Sequence, residues 1–79
     1  MTTISEENKK QVQNMRENFI SLRRSKGWSI QELSEISGID IKTLADIEEG
    51  QDFDIDYLFR LCRLYNISPH RIFFPVVIC

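Results

Sequence analysis

Residues 29–50 read SIQELSEISGIDIKTLADIEEG, and this stretch decides the fold. Ser29 and Glu32 have the spacing of a capping box, in which each side chain hydrogen-bonds the other residue's unpaired backbone N–H at a helix start. A helix is therefore predicted from about Ile30 to Ser37. Gly38 then supplies the left-handed backbone conformation that a sharp turn needs, because glycine has no Cβ to clash there.

The second half of the stretch predicts another short helix. Asp40 is suited to cap its start, and Gly50 is suited to end it. Leu44 and Ile47 recur at helical spacing and give this helix a buried stripe. The whole stretch therefore predicts two short helices that meet at a tight glycine turn.

Helical patterns also flank this two-helix unit. Before it, apolar residues at helical spacing predict a long first helix from near Ser5 to about Lys26. After it, Asp54 is placed to cap a helix from about Ile55 to Tyr65, and Ser68-Pro69 has the signature of a helix start, which predicts a last short helix ending around Phe74. The expected architecture is all-α, with five helices and an extended first one.

The last residues, 75–79, form a short apolar tail, PVVIC. The tail is too short for a helix of its own, so it either folds back onto the domain or pairs with a partner chain. Pairing is slightly favoured, because a small domain has few places to bury four apolar residues.

The cysteines and the histidine, residue types that often act in catalysis or metal binding, do not indicate an enzyme. Cys62 lies in a helical pattern and is expected to be a small core residue rather than a reactive thiol. With Cys79 it forms neither a disulfide framework nor a metal-ligand spacing. His70 has no second histidine or suitably spaced carboxylate cluster beside it. No catalytic residue, metal site or cofactor is therefore predicted.

Length and charge add two expectations. Seventy-nine residues make one small domain, a size at which dimerisation often helps stability. Without a signal peptide or an apolar run of spanning length, a cytoplasmic protein with no membrane association is expected.

The charges are unevenly distributed along the chain. Residues 1–26 carry six lysines and arginines against three glutamates, residues 27–59 carry Lys42 against nine acids, and residues 60–79 carry three arginines.

The chain resembles the phage-repressor/Cro-type helix-turn-helix family, often called Xre-like, from about Phe19 to Phe74. The residues that carry the resemblance are Leu22-Arg23, Gly27, Ser29, Glu32-Leu33-Ser34, Gly38, Leu44, Ile47-Glu48, Gly50, Asp56-Tyr57-Leu58, Ser68-Pro69 and Ile72-Phe73. It implies a lambda-repressor-like domain over residues 1–79, with the helix-turn-helix unit at 29–50. It also implies that Arg23 pairs with Glu48 and ties the first helix to the third.

The resemblance further implies a transcriptional regulator that binds double-stranded DNA and acts as a dimeric repressor. The helix beginning near Ile41 would enter the major groove while the preceding helix sits on the backbone. The tail 75–79 is the candidate contact for a homodimer. Carried over position by position, the candidate DNA contacts are Ser29, Ile30, Asp40, Ile41, Lys42, Thr43, Ala45 and Asp46.

The charge pattern favours a rival interpretation in which the fold is kept and the partner is a protein. Ile30 and Ile41 stand where the family commonly has polar residues, and Lys42 is the only cation in the helix-turn-helix unit. An exposed pair of isoleucines with an acidic rim would suit a basic protein partner. A third interpretation is that the two isoleucines only pack on each other and cover the turn. The sequence leaves these interpretations open.

Overall fold

The computed structural model describes residues 9–75. All the regular secondary-structure elements in this range are helical. The elements are α1 (Lys9–Ser25), α2 (Ile30–Ser37), α3 (Ile41–Glu49), α4 (Ile55–Tyr65) and a 3₁₀ turn (Arg71–Phe73). The all-α prediction is confirmed. The predicted start of the first helix near Ser5 and tail residues 76–79 lie outside the described residues.

Side-chain caps begin α2 and α3 at the predicted residues. The Oγ of Ser29 accepts a hydrogen bond from the backbone N–H of Glu32 at 3.1 Å, and Oε1 of Glu32 accepts from the N–H of Ser29 at 2.8 Å. Asp40 caps α3 through the backbone N–H of Thr43. Gly38 ends α2 with a φ of 75°, which keeps the turn between the two helices short.

The fifth helix predicted from Ser68 to Phe74 is wrong in type and length, because only a 3₁₀ turn forms there. The Oγ of Ser68 accepts from the N–H of His70, and the N–H of Arg71 bonds the Ser68 carbonyl three residues back. Phe74 is extended, with φ −95° and ψ 148°. Proline disfavours helical geometry in the residue before it, so Pro75 limits the segment to a single tight turn.

The core is assembled from all four helices, the 3₁₀ turn and two residues between helices, Ile39 and Phe53. An aromatic group lies within it: the ring of Tyr65 has its centroid 6.2 Å from that of Phe19 and 6.1 Å from that of Trp28. The buried apolar residues are Met15, Phe19, Leu22, Leu33, Ile39, Leu44, Ile47, Phe53, Leu58, Leu61, Cys62, Tyr65 and Ile72. Cys62 is a core residue as predicted, and burial raises the pKa of its thiol to about 11.

Two asparagines on α1 fasten the C-terminal segment to the domain. The Nδ2 of Asn18 donates to the carbonyls of Ile72 at 2.8 Å and Phe74 at 2.7 Å. One turn earlier, Nδ2 of Asn14 donates to the carbonyl of Phe73 at 3.0 Å. Asn18 is buried, so these bonds satisfy a polar group that would otherwise destabilise the core. We call Asn14 and Asn18 the asparagine clamp.

Candidate nucleic-acid interface

An ion pair holds the end of α3 against α1. The guanidinium of Arg23 binds the carboxylate of Glu48 through two parallel hydrogen bonds, Nε to Oε2 at 2.8 Å and Nη2 to Oε1 at 3.0 Å. The Nη1 of Arg23 also donates to the carbonyl of Trp28, between α1 and α2, at 2.9 Å. The hydrogen bond to Glu48 is the main cause that raises the pKa of Arg23. The Arg23–Glu48 pair predicted from the family resemblance is confirmed.

A second arginine on α1 contacts the same end of α3. The Nε of Arg16 donates to the backbone carbonyl of Glu48 at 2.9 Å, and its side chain lies against Gly50. The sequence shows Arg16 only as one of the six lysines and arginines in residues 1–26. The residue types could not predict this hydrogen bond, because its acceptor is a main-chain carbonyl that any residue would supply.

The polar candidates at the start of α3 are already bonded to acids within the helix. The Oγ1 hydroxyl of Thr43 donates to Oδ1 of Asp40 at 2.8 Å, and the backbone N–H of Thr43 donates to Oδ2 of Asp40 at 3.2 Å. These bonds lower the pKa of Asp40. Nζ of Lys42 lies 3.2 Å from Oδ2 of Asp46, with the lysine side chain largely exposed. A nucleic acid would therefore compete with these carboxylates for the lysine and the threonine hydroxyl.

The apolar candidates do not form the exposed pair of the rival, protein-binding interpretation. Ile30 is partly buried and packs against the core, so its inclusion in an exposed apolar centre is wrong. It begins α2 two residues after Trp28, which also packs on the core. Ile41 is 48% exposed, and Ile36 on α2 is exposed to a similar extent at 47%. The exposed isoleucines of the helix-turn-helix unit are therefore Ile36 and Ile41.

The remaining candidates lie at the start of α2 and in the middle of α3. Ser29 is exposed at the N-terminus of α2, and Ala45, five residues into α3, is partly buried. Acidic residues on α2, on α3 and at the cap of α3 accompany the two exposed isoleucines, and we call this set the α2–α3 acidic surface. Its residues are Glu32, Glu35, Ile36, Asp40, Ile41, Asp46 and Glu49, of which Asp46 is partly buried.

Cations outside α3 lie close in sequence to the start of α2. Arg24 and Lys26 are exposed at the end of α1, and neither forms an ion pair with any residue in 9–75. They precede Ser29 by only a few residues. Phosphates on the backbone side of α2 would therefore find two uncompensated positive charges there.

Other kinds of site find no support in the described part of the chain. Within residues 9–75, no group of histidine, cysteine and carboxylate side chains could hold a metal ion. No helix in that range is both long enough and apolar enough to cross a bilayer.

The capped α2–turn–α3 unit, held on α1 by the Arg23–Glu48 pair, defines the class: this is a helix-turn-helix protein. Comparison with known families agrees, because the helix-turn-helix family model matches residues 20–72. The chain belongs to the Xre/Cro-like helix-turn-helix family. That family consists of DNA-binding regulatory domains and is not a family of enzymes. Searches of curated proteins and of solved structures gave no match.

Proposed function

We propose that the chain is a transcriptional repressor that binds double-stranded DNA as a homodimer. The observation that carries this proposal is the family match over residues 20–72, which includes all of α2 and α3. The geometry supports it, because Asp40, Ile41 and Lys42 are all exposed at the start of α3. A recognition helix uses the same end to contact base edges in the major groove.

The residue types at this helix start limit what it can read. Ile41 offers an apolar contact for a thymine methyl, and Asp46 offers an acceptor for the amino group of cytosine. Lys42 is the one side chain suited to guanine, provided that it leaves Asp46. We therefore expect an operator in which thymine and cytosine positions facing α3 contribute to specificity.

Affinity should be low and strongly dependent on salt. Arg24, Lys26 and Lys42 are the exposed cations in or next to the helix-turn-helix unit. Three phosphate contacts per protomer give a slope of about −2.7 in a plot of log affinity against log salt concentration, or about −5 for a dimer. The value for one protomer is smaller in magnitude than that of proteins that make about 6–10 contacts in one site, and the value for the dimer, which rests on six contacts, lies at the lower end of their range.

The proposal is tested by fluorescence anisotropy of the purified chain with a pool of random-sequence duplexes, followed by sequencing of the bound fraction. A palindromic site with half-sites about 34–36 Å apart is expected for a dimer. Lys42→Ala should weaken binding and lower the salt slope, whereas Lys10→Ala on α1 serves as a control cation away from the helix-turn-helix unit. Absence of binding at the lowest usable salt concentration would reject DNA binding.

A second candidate function is favoured by the α2–α3 acidic surface: a regulator or antagonist that uses this surface to bind a basic protein and does not bind DNA. Two exposed isoleucines with an acidic rim have the composition of a protein interface. Replacing Ile36 and Ile41 with glutamine tests it. Binding of a protein partner should fall while the melting temperature stays unchanged, since neither side chain belongs to the core.

A further inference from the structure

The exposed side of α4 carries the opposite charge from the α2–α3 acidic surface. Phe59, Arg60 and Arg63 are exposed and lie one helical turn apart or less, so they share one side of the helix. Phe59 is 45% exposed. The guanidinium of Arg60 lies 6.0 Å from the ring centroid of Tyr57. We call Phe59, Arg60 and Arg63 the α4 basic stripe.

The two arginines of this stripe are not neutralised by the fold. Neither Arg60 nor Arg63 forms an ion pair with any residue between 9 and 75. Asp56, one turn earlier, is the acid on the same side of α4, and it leaves the side net positive. An exposed phenylalanine next to two free guanidinium groups is a combination enriched at protein interfaces.

The α2–α3 acidic surface has the complementary composition. Ile36 and Ile41 are five residues apart in the chain, so their Cα atoms lie within about 18 Å of each other. Both are about half exposed. The exposed acids Glu35 and Asp40 immediately precede the two isoleucines in sequence. Exposed isoleucines that adjoin carboxylates in sequence therefore complement, in charge and polarity, an exposed phenylalanine that adjoins an arginine.

We propose that the α2–α3 acidic surface of one molecule binds the α4 basic stripe of a second copy of this chain. The inference rests on the protein-binding role that the second candidate function gives to the α2–α3 acidic surface, and it names the basic partner of that surface; unlike that candidate, it leaves DNA binding in place. The contact joins two different surfaces, so it is heterologous: each bound molecule still offers one free surface of each kind. The assemblies therefore grow larger as the protein concentration rises, unless the contacts close into a ring.

This contact would also control access to DNA. Ile41 and Asp40 belong both to the α2–α3 acidic surface and to the candidate DNA contacts, so one molecule cannot use them for both partners at once. Self-assembly at high protein concentration should release DNA, and specific DNA should dissolve the assemblies. The chain would then be most active as a regulator when it is dilute.

Two double variants separate the two surfaces. Glu35→Lys with Ile36→Lys reverses the acidic surface and leaves α4 intact. Phe59→Glu with Arg63→Glu reverses the basic stripe and leaves α2 and α3 intact. All four side chains are exposed, so both proteins should keep the melting temperature of the wild type within a few degrees. Neither variant alters a residue among the candidate DNA contacts.

The controls match the charge changes on the exposed side of α1. Lys10→Glu with Gln11→Glu makes the same change in net charge as the basic-stripe variant. Glu17→Lys with Ser21→Lys makes the same change as the acidic-surface variant. All four positions are exposed. Any effect of net charge alone would therefore appear in these controls as well.

The measurement is sedimentation velocity of the full chain over a range of concentrations. We expect wild type and both controls to form larger species as concentration rises, and about 1 M salt to disperse them because it shortens the Debye length to about 3 Å. Each surface variant alone should require at least about tenfold higher concentration, since like charges then face each other. An equimolar mixture of the two variants should regain assembly, because each supplies the surface that the other lacks.

Failure of the mixture to form any species larger than its components would overturn the proposal, as would a wild type whose size does not change with concentration. A symmetric dimer of fixed size that both variants retain would likewise overturn it, because neither surface would then form the contact. DNA binding is measured separately by anisotropy at protein concentrations below any assembly. A negative sedimentation result therefore leaves the DNA-binding part of the proposed function intact, and loss of DNA binding leaves the self-assembly result intact.

Discussion

Replacing Arg23 with alanine is expected to destabilise the domain severely. Only 15% of the Arg23 side chain and 12% of the Glu48 side chain are exposed, so the carboxylate would remain largely out of water without its partner. Breaking a buried pair in this way costs roughly 3–5 kcal/mol in the free energy of unfolding. Because a small part of each side chain still meets solvent, we expect a loss of about 3 kcal/mol.

This loss is large relative to the whole stability of the protein. Seventy-nine residues at 0.05–0.15 kcal/mol each give a total of roughly 4–12 kcal/mol. In a domain of this size each kcal/mol shifts the melting temperature by about 4–8 °C, so Arg23→Ala should lower it by about 12–24 °C. The substitution also removes the donor to the Trp28 carbonyl, which adds to the effect.

The assay is thermal and urea unfolding followed by circular dichroism, and the chain supplies a matched control. Arg24 is the next residue on α1, is exposed and forms no ion pair within 9–75, so Arg24→Ala should change stability by less than about 0.5 kcal/mol. A double-mutant cycle with Glu48→Ala should give a coupling energy above about 1 kcal/mol. Equal melting temperatures for the Arg23 and Arg24 variants would refute the role assigned to the pair.

Three further predictions concern the helix caps. Ser29→Ala should cost about 1 kcal/mol of unfolding free energy in urea, whereas Ser21→Ala in the exposed middle of α1 should be neutral or slightly stabilising. Gly38→Ala should cost about 1–2 kcal/mol although its Cβ would meet open space, because the strain lies in a φ of 75°; a neutral result would exclude that cause. Asp40 has a lowered pKa, so its cap stabilises the fold above the ordinary carboxyl pKa of 3.8 and is lost as pH falls through the folded value. The stability difference between wild type and Asp40→Asn should therefore shrink between neutral pH and pH about 2, and a constant difference would contradict this reasoning.

The helix-turn-helix unit was predictable because its signals are local. Capping residues and glycines act on the backbone within four residues of themselves, so Ser29, Asp40 and Gly38 fix the boundaries of α2 and α3 from sequence alone. The Arg23–Glu48 pair spans 25 residues and was predictable only through the family resemblance. Physical spacing rules do not connect two charged residues that far apart in a chain.

The parts that sequence reasoning missed depend on tertiary contacts. Phe53 lies in the loop between α3 and α4, outside any helical pattern, yet its side chain is buried in the core. Asn18 lies on the buried side of α1 beside the apolar stripe. Its position in the sequence does not predict that it donates to the backbone carbonyls of Ile72 and Phe74. One interpretation placed Ile30 in an exposed apolar pair because it begins a helix, but its side chain packs against the core, as that of Trp28 does.

The asparagine clamp has a consequence for how the chain becomes a domain during synthesis. Its hydrogen bonds join residues 54 to 59 positions apart, so α1 is fastened by residues that are synthesised after α2, α3 and α4. Until residues 72–74 have been added, the amide of Asn18 lacks both of its carbonyl acceptors, and the core lacks Ile72. A growing chain therefore completes its core only after α2 and α3 have already been made.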